Sequence, residues 1–288
     1  MADRRILGTA IVVAAMLITP ASALAGRPAR PTSCTVSAGV TTTSVKSKGT
    51  VTLTLTGTTG ADTIDCSGLT KSGVVINGRG GGDIITGTPF ADSITDGAIG
   101  PGSSASVFGL AGNDIIRVGW GDVTSYASAS VDAGPGDDQV VANGGFVSAL
   151  GGDGNDLIDL SAAYAATADG GLGNDTVTGP SAPVDENLCS CVNELSGGAG
   201  DDVINGGAGH DELNGGPGVD QMHAGPGIDS ITDYGTGAEL FDCGDGTDIA
   251  DDYDGNGVGT DGTVGYANAP EDDTHPNCEE VRVAVSAP

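Results

Sequence analysis

The sequence predicts an all-β fold, a parallel β-roll or β-solenoid with coils of about 18 residues, and three observations lead to this prediction. A nine-residue unit recurs in four tandem copies between Gly197 and Thr232, each with Asp in its sixth place and an aliphatic residue or Met in its eighth. Glycine accounts for 51 of the 288 residues, and aromatic residues make up 3%. This composition does not suit an ordinary globular core, whereas a short repeat can stack upon itself.

The same unit can be traced beyond the tandem copies, over most of the chain. Further copies begin at Gly57, Gly78, Gly87, Gly109, Ala133, Gly151, Gly170 and Cys243. Many intervals between the sixth-place Asp residues lie near two repeat lengths or slightly above. This spacing predicts two nonapeptides per coil, in which one turn keeps the motif and the other varies through irregular insertions.

Each unit predicts a turn over its first six places and a short strand over its last three. Glycine supplies turn angles that side chains forbid, and the middle strand residue points inward. The turn-forming glycines of the tandem copies are Gly197, Gly198, Gly200, Gly206, Gly207, Gly209, Gly215, Gly216 and Gly218. The predicted inner columns are Ile85, Ile116, Val140, Ile158, Val177, Ile204, Leu213, Met222 and Ile231. A second strand per coil is predicted from the apolar residues two places before the motif turns, Ile76, Val107, Val131, Ala149, Ala168 and Leu195.

Residues 1–25 have the pattern of a secretory signal peptide. Arg4 and Arg5 precede an apolar run, and Ala23-Leu24-Ala25 fits the small-x-small cleavage rule. The apolar run is short for a bilayer span, so an uncleaved anchor is the less favoured alternative. The sequence therefore predicts a secreted protein without a membrane span.

The predicted β-roll covers residues 78–250 and needs a cap at each end, as any repeat array does. Residues 26–77 are predicted to form the N-terminal cap, with a strand at Thr50–Thr56 and a first, worn repeat. Residues 251–288 are predicted to form an acidic C-terminal cap.

Six cysteines in a secreted chain predict disulfides that staple these ends. They are Cys34, Cys66, Cys189, Cys191, Cys243 and Cys278. Proximity favours the pairs Cys34–Cys66, Cys189–Cys191 and Cys243–Cys278, while other connectivities remain open. Zinc is a weaker alternative, because the usual C-x₂-C spacing is missing.

The charge of the chain indicates a cationic ligand. The formal net charge is −29, from 39 acidic and 10 basic residues, so nucleic acid and anionic membranes are not expected partners. Stacked coils would place like-charged Asp side chains about 4.8 Å apart, where they repel. Ca²⁺ would compensate this charge, since it accepts six to eight carboxylate and carbonyl oxygens in tolerant geometry. Magnesium demands a stricter octahedron, and transition metals prefer His or Cys.

The candidate calcium ligands are the sixth-place carboxylates. They are Asp83, Asp92, Asp114, Asp138, Asp156, Asp175, Asp202, Asp211, Asp220, Asp229 and Asp248. A second candidate site is the D-x-D-x-N-G stretch of Asp252, Asp254 and Asn256, which matches the start of an EF-hand-type loop but equally fits an acidic turn. Asn113, Asn155 and Asn174 precede motif Asp residues and are predicted to adopt left-handed turn conformations.

Units such as GGAGDDVIN resemble the hemolysin-type calcium-binding repeat, the RTX nonapeptide G-G-x-G-x-D-x-U-x. The resemblance implies a parallel β-roll with calcium between adjacent turns, bound by the sixth-place Asp and by turn carbonyls. The chain departs from the pattern at Phe90, which replaces a turn glycine, at Ala133 and Ala224, which replace first glycines, and at Ala250, which weakens the last copy.

The predicted function is that of a secreted, non-enzymatic calcium-binding protein that folds on binding Ca²⁺ and has a structural, adhesive or surface-associated role. A cell-surface or polysaccharide partner is compatible with this function but is not identified by the sequence. Two alternatives remain: a secreted polysaccharide-modifying enzyme that acts on the solenoid face, and a disordered acidic calcium buffer. No G-x-S-x-G, H-E-x-x-H or phosphate-loop motif is present.

Overall fold

A computed structural model describes residues 33–47, 50–119, 127–182, 192–234, 240–244, 249–252, 265–266 and 280–283. These residues belong to one compact unit, Pro31–Pro288. They form strands and turns and contain no helix. Within these ranges, therefore, no helix long and apolar enough to cross a membrane is found.

Twenty-two strands follow one another along the chain. They are β1 (Thr35–Val36), β2 (Thr41–Ser47), β3 (Thr50–Thr56), β4 (Thr63–Asp65), β5 (Val74–Asn77), β6 (Ile84–Thr86), β7 (Ser93–Thr95), β8 (Ser104–Phe108), β9 (Ile115–Val118), β10 (Ser128–Asp132), β11 (Gln139–Asp153), β12 (Leu157–Leu172), β13 (Thr176–Thr178), β14 (Val192–Ala199), β15 (Val203–Asn205), β16 (His210–Asn214), β17 (Gln221–His223), β18 (Ser230–Asp233), β19 (Leu240–Asp242), β20 (Ile249–Asp252), β21 (Gly265–Tyr266) and β22 (Glu280–Val283).

The strands alternate between two parallel layers, so the chain winds as a coil. The front sheet contains β3, β5, β7, β9, the start of β11 and β12, β13, β15, β17, β19 and β21. The back sheet contains β4, β6, β8, β10, the end of β11 and β12, β14, β16, β18, β20 and β22. This arrangement confirms the predicted parallel β-solenoid with two strands per coil.

The register of the strands stacks one inward residue per strand into two columns. The front column runs Leu55, Ile76, Ile94, Ile116, Val140, Ile158, Val177, Ile204, Met222 and Phe241. The back column runs Ile64, Ile85, Val107, Val131, Ala149, Ala168, Leu195, Leu213 and Ile231. All are buried, which confirms the inner columns predicted from the repeat. The back column has alanine at Ala149 and Ala168, and Val147 of β11 and Leu160 of β12 are buried in addition.

Two antiparallel strands lie at the N-terminal end of the solenoid. Strand β2 pairs antiparallel with β3 at the start of the front sheet, and β1 pairs antiparallel with β4 at the start of the back sheet. The predicted strand Thr50–Thr56 is confirmed as β3. The predicted pair Cys34–Cys66 is also confirmed, with the Cα atoms 4.3 Å apart.

Some predictions concern residues outside the described ranges. Cys243 is disulfide-bonded, but Cys189, Cys191 and Cys278 lie outside those ranges, as do residues 1–25. The signal peptide, the boundaries of the two caps and the other two cysteine pairs therefore stay predictions.

Turns join the sheets at two edges, which differ in regularity. The motif edge, where the chain passes from back to front sheet, contains residues 87–92, 109–114, 133–138, 151–156, 170–175, 197–202 and 215–220. The opposite, variable edge includes residues 57–62, 78–83, 96–103, 206–211 and 224–229. Successive motif-edge Asp residues are 18 positions apart in the shortest coils and up to 27 in the longest. The extra residues lie at the variable edge, so the motif edge remains regular.

Candidate metal centre

The motif-edge turns require glycine for two separate reasons. Gly152 and Gly154 have φ angles of +122° and +142°, which residues with a Cβ rarely adopt. A Cβ on Gly151 would lie 2.4 Å from Oδ2 of Asp156 and 2.4 Å from the carbonyl oxygen of Gly170 in the next coil. The first glycine therefore leaves room for a carboxylate oxygen of its own turn and a carbonyl oxygen of the following one.

The sixth-place Asp residues of the motif edge form one continuous column. Oδ1 of each carboxylate from Asp114 to Asp220 accepts the backbone N–H of the Asp in the preceding coil, at 2.6–2.8 Å, and Oδ1 of Asp92 accepts the N–H of Val74 at 2.7 Å. The column consists of Asp92, Asp114, Asp138, Asp156, Asp175, Asp202 and Asp220. These side chains are all buried, because they point back into the turn.

Among the described residues, the variable edge has two such contacts between Asp residues, one toward each end of the solenoid. Oδ1 of Asp83 accepts the N–H of Asp62 at 2.8 Å, and Oδ1 of Asp229 accepts the N–H of Asp211 at 2.9 Å. Asn193 takes the sixth place before Leu195 and donates from Nδ2 to Oδ1 of Asp211 at 2.6 Å. Sequence reasoning missed Asn193, although its spacing to Leu195 follows the D-x-U pattern with Asn for Asp.

The second oxygens of most of these carboxylates are buried without a hydrogen-bond donor among the described residues. This holds for Oδ2 of Asp83, Asp114, Asp138, Asp156, Asp175, Asp202 and Asp211. A buried polar atom without a partner costs about 1–3 kcal/mol. Carboxylate oxygens that face carbonyl oxygens across glycine are the donor set that Ca²⁺ prefers. The residues present therefore fit a hard divalent cation.

Burial also changes the acidity of the column. It raises the pKa of Asp114 and Asp175 to about 7 and the pKa of Asp138 and Asp156 to about 6, because a buried carboxylate loses its hydration. Backbone N–H groups of the preceding coil lower these pKa values, while neighbouring carboxylates raise them. The column thus resists ionisation unless a cation balances its charge.

In two turns a threonine donates hydrogen bonds to the carboxylate of the sixth-place Asp. In GTPFAD (87–92), the N–H of Thr88 donates to Oδ2 of Asp92 at 2.5 Å, and the Thr88 hydroxyl donates to Oδ1 at 2.9 Å. In GTTGAD (57–62), the N–H and hydroxyl of Thr58 donate to Oδ2 of Asp62 at 2.6 and 3.0 Å. Thr thus replaces the second glycine and supplies donors that the other turns lack.

The fifth-place residues form a second ladder on the exposed side of the motif edge. Oδ1 of Asp137 accepts the N–H of Asn155 at 3.0 Å, and Oδ1 of Asn155 accepts the N–H of Asn174 at 2.8 Å. The prediction of left-handed conformations for Asn113, Asn155 and Asn174 is wrong. Among the described residues the non-glycine positions with positive φ are Arg79 and Leu110, because the second turn place, and not the fifth, requires that conformation.

The remaining candidate ligands cannot be placed. Asp248, Asp254 and Asn256 lie outside the described residues, and only the backbone of Asp252 is described, at the end of β20. The described part of the chain contains no group of three or more His, Cys, Asp or Glu side chains that could hold a metal ion. Carbonyl oxygens would therefore complete any coordination shell there.

The geometry agrees with comparisons to known proteins. The family model of the RTX calcium-binding nonapeptide repeat matches four copies in this chain, over residues 106–124, 132–162 and 194–231. These segments contain Asp114, Asp138, Asp156, Asp202 and Asp220 of the motif-edge column. Repeats of this kind bind Ca²⁺. No curated protein and no solved structure matches the chain.

Proposed function

We propose that this chain, which carries RTX calcium-binding nonapeptide repeats, is a secreted, non-enzymatic calcium-binding protein that folds as Ca²⁺ binds between successive coils. The single observation that carries the proposal is the motif-edge column of buried Asp carboxylates, whose Oδ2 atoms from Asp114 to Asp202 have no hydrogen-bond donor in the described structure.

The proposed ligands are carboxylates that share one environment. They are Asp83, Asp114, Asp138, Asp156, Asp175, Asp202, Asp211, Asp220 and Asp229. Each is buried, and the first residue of its turn has no side chain beyond Cβ. Carbonyl oxygens of the adjacent coil, such as that of Gly170 beside Asp156, supply further ligands. Ca²⁺ accepts such mixed oxygen shells at about 2.3–2.6 Å.

Asp92 belongs to the same column but is proposed to bind no calcium. Oδ1 and Oδ2 of Asp92 both have donors from Thr88. Thr58 donates twice to Oδ2 of Asp62, whose Oδ1 accepts the hydroxyl of Ser37. Both turns lie outside the segments that match the family model. We therefore assign calcium-independent folding to the turns that contain these two threonines.

Calcium would stabilise the folded chain by mass action, since the unfolded chain has no preformed site. Extracellular calcium modules bind at about 10⁻⁴–10⁻³ M. Such affinities would leave the coils unloaded in a cytosol of low calcium and loaded outside the cell. Proteins with RTX repeats are often secreted, and the signal-like residues 1–25 support the same location. The proposal includes a structural or adhesive role outside the cell.

Far-UV circular dichroism and calorimetric titration of the purified chain test the proposal together. We expect calcium to raise the β-sheet signal, chelator to lower it and excess Ca²⁺ to restore it, with several ions bound per chain. A β-sheet signal that is identical with and without chelator would overturn coupled folding. Calcium binding with no gain of β-structure would instead support the disordered buffer.

The enzymatic alternative is checked on the same calcium-loaded sample. Incubation with acidic polysaccharides, followed by measurement of new reducing ends and of unsaturated products, should show no turnover. Product that accumulates with time and enzyme concentration would replace the non-enzymatic proposal.

A further inference from the structure

Two buried Asp residues outside the sixth place occur in matching sequences. ADSITD (91–96) places Asp96 directly after front-sheet strand β7, and IDSITD (228–233) places Asp233 at the end of back-sheet strand β18. Asp96 and Asp233 are fully buried, and the repeat has glycine or alanine at the equivalent places Gly109, Ala133 and Gly151. A buried acidic side chain at the first place of a turn, where the repeat has glycine or alanine, has to be explained by its contacts.

Asp96 approaches Asp83, which ends the short N-terminal column formed by Asp62 and Asp83 at the variable edge. A Cβ on Gly78 would lie 2.4 Å from Oδ2 of Asp83 and 2.7 Å from Oδ1 of Asp96, so both carboxyl groups approach the same glycine. The same relation recurs at Gly215, where a Cβ would lie 2.5 Å from Oδ2 of Asp220 and 2.7 Å from Oδ1 of Asp233. The arrangement is therefore a repeated feature of the fold.

The hydrogen bonds of the Asp83 and Asp96 pair leave one oxygen of each unused. Oδ1 of Asp83 accepts the N–H of Asp62 at 2.8 Å, and Oδ1 of Asp96 accepts the N–H of Gly97 at 2.9 Å. Oδ2 of both residues is buried without a backbone or side-chain N–H or O–H donor among the described residues. The two carboxyl groups lie close enough to hydrogen-bond to each other when one of them is protonated. Two ionised carboxylates held this close in a buried place repel unless a cation or a shared proton lies between them.

Asp96 also supplies a carboxylate to a coil that has no sixth-place Asp at the variable edge. The register pairs Ile85 with Val107, so Ala105 lies where the sixth-place Asp of that coil would be. The column that begins with Asp62 and Asp83 therefore has no following sixth-place carboxylate. Asp96 occupies the first place of the variable-edge turn in the same coil as Ala105. Its carboxylate therefore lies beside Asp83, where the sixth-place Asp is missing.

We propose that Asp96 and Asp83 together bind a Ca²⁺ ion at the end of the N-terminal Asp column, and that Asp233 and Asp220 form the equivalent site at Gly215. The proposal rests on the proposed calcium-binding function, because it assigns the same cation to a ligand pair outside the nonapeptide pattern. Backbone carbonyl oxygens complete the shell, since Ca²⁺ requires at least six ligands.

The test counts calcium ions per chain by equilibrium dialysis and elemental analysis at saturating Ca²⁺. Asp96→Gly restores the residue that other coils have in this place, and Asp132→Asn removes an exposed strand charge as the matched control. We expect D96G to bind one ion fewer than wild type and D132N to bind the wild-type number. The double variant D96G/D233G should bind two ions fewer.

Each result has a defined meaning. An unchanged count in D96G overturns this proposal, with a shared proton as the explanation, and leaves the proposed function intact. A wild-type chain that binds no calcium overturns the proposed function itself. If circular dichroism shows that D96G does not fold, Asp96→Asn is titrated with calcium instead. A calcium affinity that is at least tenfold weaker at one site supports the Asp83 and Asp96 site. A titration identical to that of the wild type overturns it.

Discussion

Oδ1 of Asp156 accepts the backbone N–H of Asp138 at 2.8 Å, and this one contact repeats from coil to coil along the motif edge. It ties each carboxylate to the preceding turn and leaves Oδ2 facing its own glycine. From Asp114 to Asp202 the column is therefore both a hydrogen-bond ladder and a row of Oδ2 atoms that have no donor among the described residues. The contribution of the column to stability depends on what compensates the negative charge of the buried carboxylate oxygens.

Removing one carboxylate from the middle of the column should weaken calcium stabilisation. Asp156→Ala deletes the acceptor for the Asp138 N–H and one proposed ligand, while Asp153→Ala removes an exposed charge of the same coil. We expect D156A to lose about 1–3 kcal/mol in the metal-free protein and more with saturating calcium. Thermal melts of both variants with Ca²⁺ and with chelator measure the difference. Equal losses in the two conditions would show that Asp156 is not a ligand.

The metal-free protein should be more stable in mild acid than at neutral pH. Burial raises the folded-state pKa of Asp114 and Asp175 to about 7 and of Asp138 and Asp156 to about 6, above the ordinary value of 3.8. Below pH 3.8 both states are protonated and no penalty exists. As pH rises from there through 6–7, the unfolded chain releases protons first, so stability falls.

Urea unfolding of the chelated protein at pH 4, 5, 6 and 7 checks this direction. Saturating calcium should reverse the trend, because protonation competes with metal binding. Stability of the metal-free chain that rises between pH 4 and 7 would contradict the burial of ionisable carboxylates in the column.

Thr88 should stabilise its turn without any metal. Thr88→Val keeps the shape but removes the hydroxyl bond to Asp92, and Thr88→Ser keeps that bond. We expect T88V to lose about 1–3 kcal/mol, equally with and without calcium, and T88S to lose less. The count of bound calcium should stay at the wild-type value in Asp92→Ala and fall in Asp114→Ala, its neighbour in the column. A lower count in D92A would make Asp92 a ligand after all.

The sequence predicted the features that repeat and missed those that depend on one contact. The periodicity of apolar residues placed Ile116, Val140 and Ile158 in one buried column, because a strand has only two faces and a coil has only one interior. The role of Thr88 was not predicted, since G-T-P-F-A-D looks like a worn motif until its hydroxyl is seen on Asp92. Asp96 was missed because its partner, Asp83, lies in the preceding coil and at a different place of the repeat. An alignment of the repeats compares only residues that occupy the same place.

The exposed fifth-place ladder should add stability that calcium does not change. Asn155→Ala removes the acceptor for the Asn174 N–H, while Asn155→Asp keeps an oxygen in place. We expect N155A to lose about 0.5–1.5 kcal/mol, the value of an ordinary hydrogen bond. N155D keeps the acceptor but should also lose stability, because its carboxylate replaces the amide that donates to Oδ1 of Asp137 at 3.4 Å. Chemical unfolding with and without Ca²⁺ measures both. A loss that appears only with calcium would connect this ladder to the metal sites.

Two glycines with similar backbone angles should respond very differently to the same substitution. Gly152 has φ +122° and a Cβ there would lie 2.1 Å from the carbonyl oxygen of Gly134, whereas Gly144 has φ +94° and open space around it. Gly144→Ala should cost only the strain of the left-handed backbone, about 1–3 kcal/mol. Gly152→Ala adds a clash with the neighbouring coil, so it should cost clearly more and also lower calcium affinity at Asp156. Comparable melting temperatures for the two variants would mean that the coils are not packed as closely as the glycine contacts indicate.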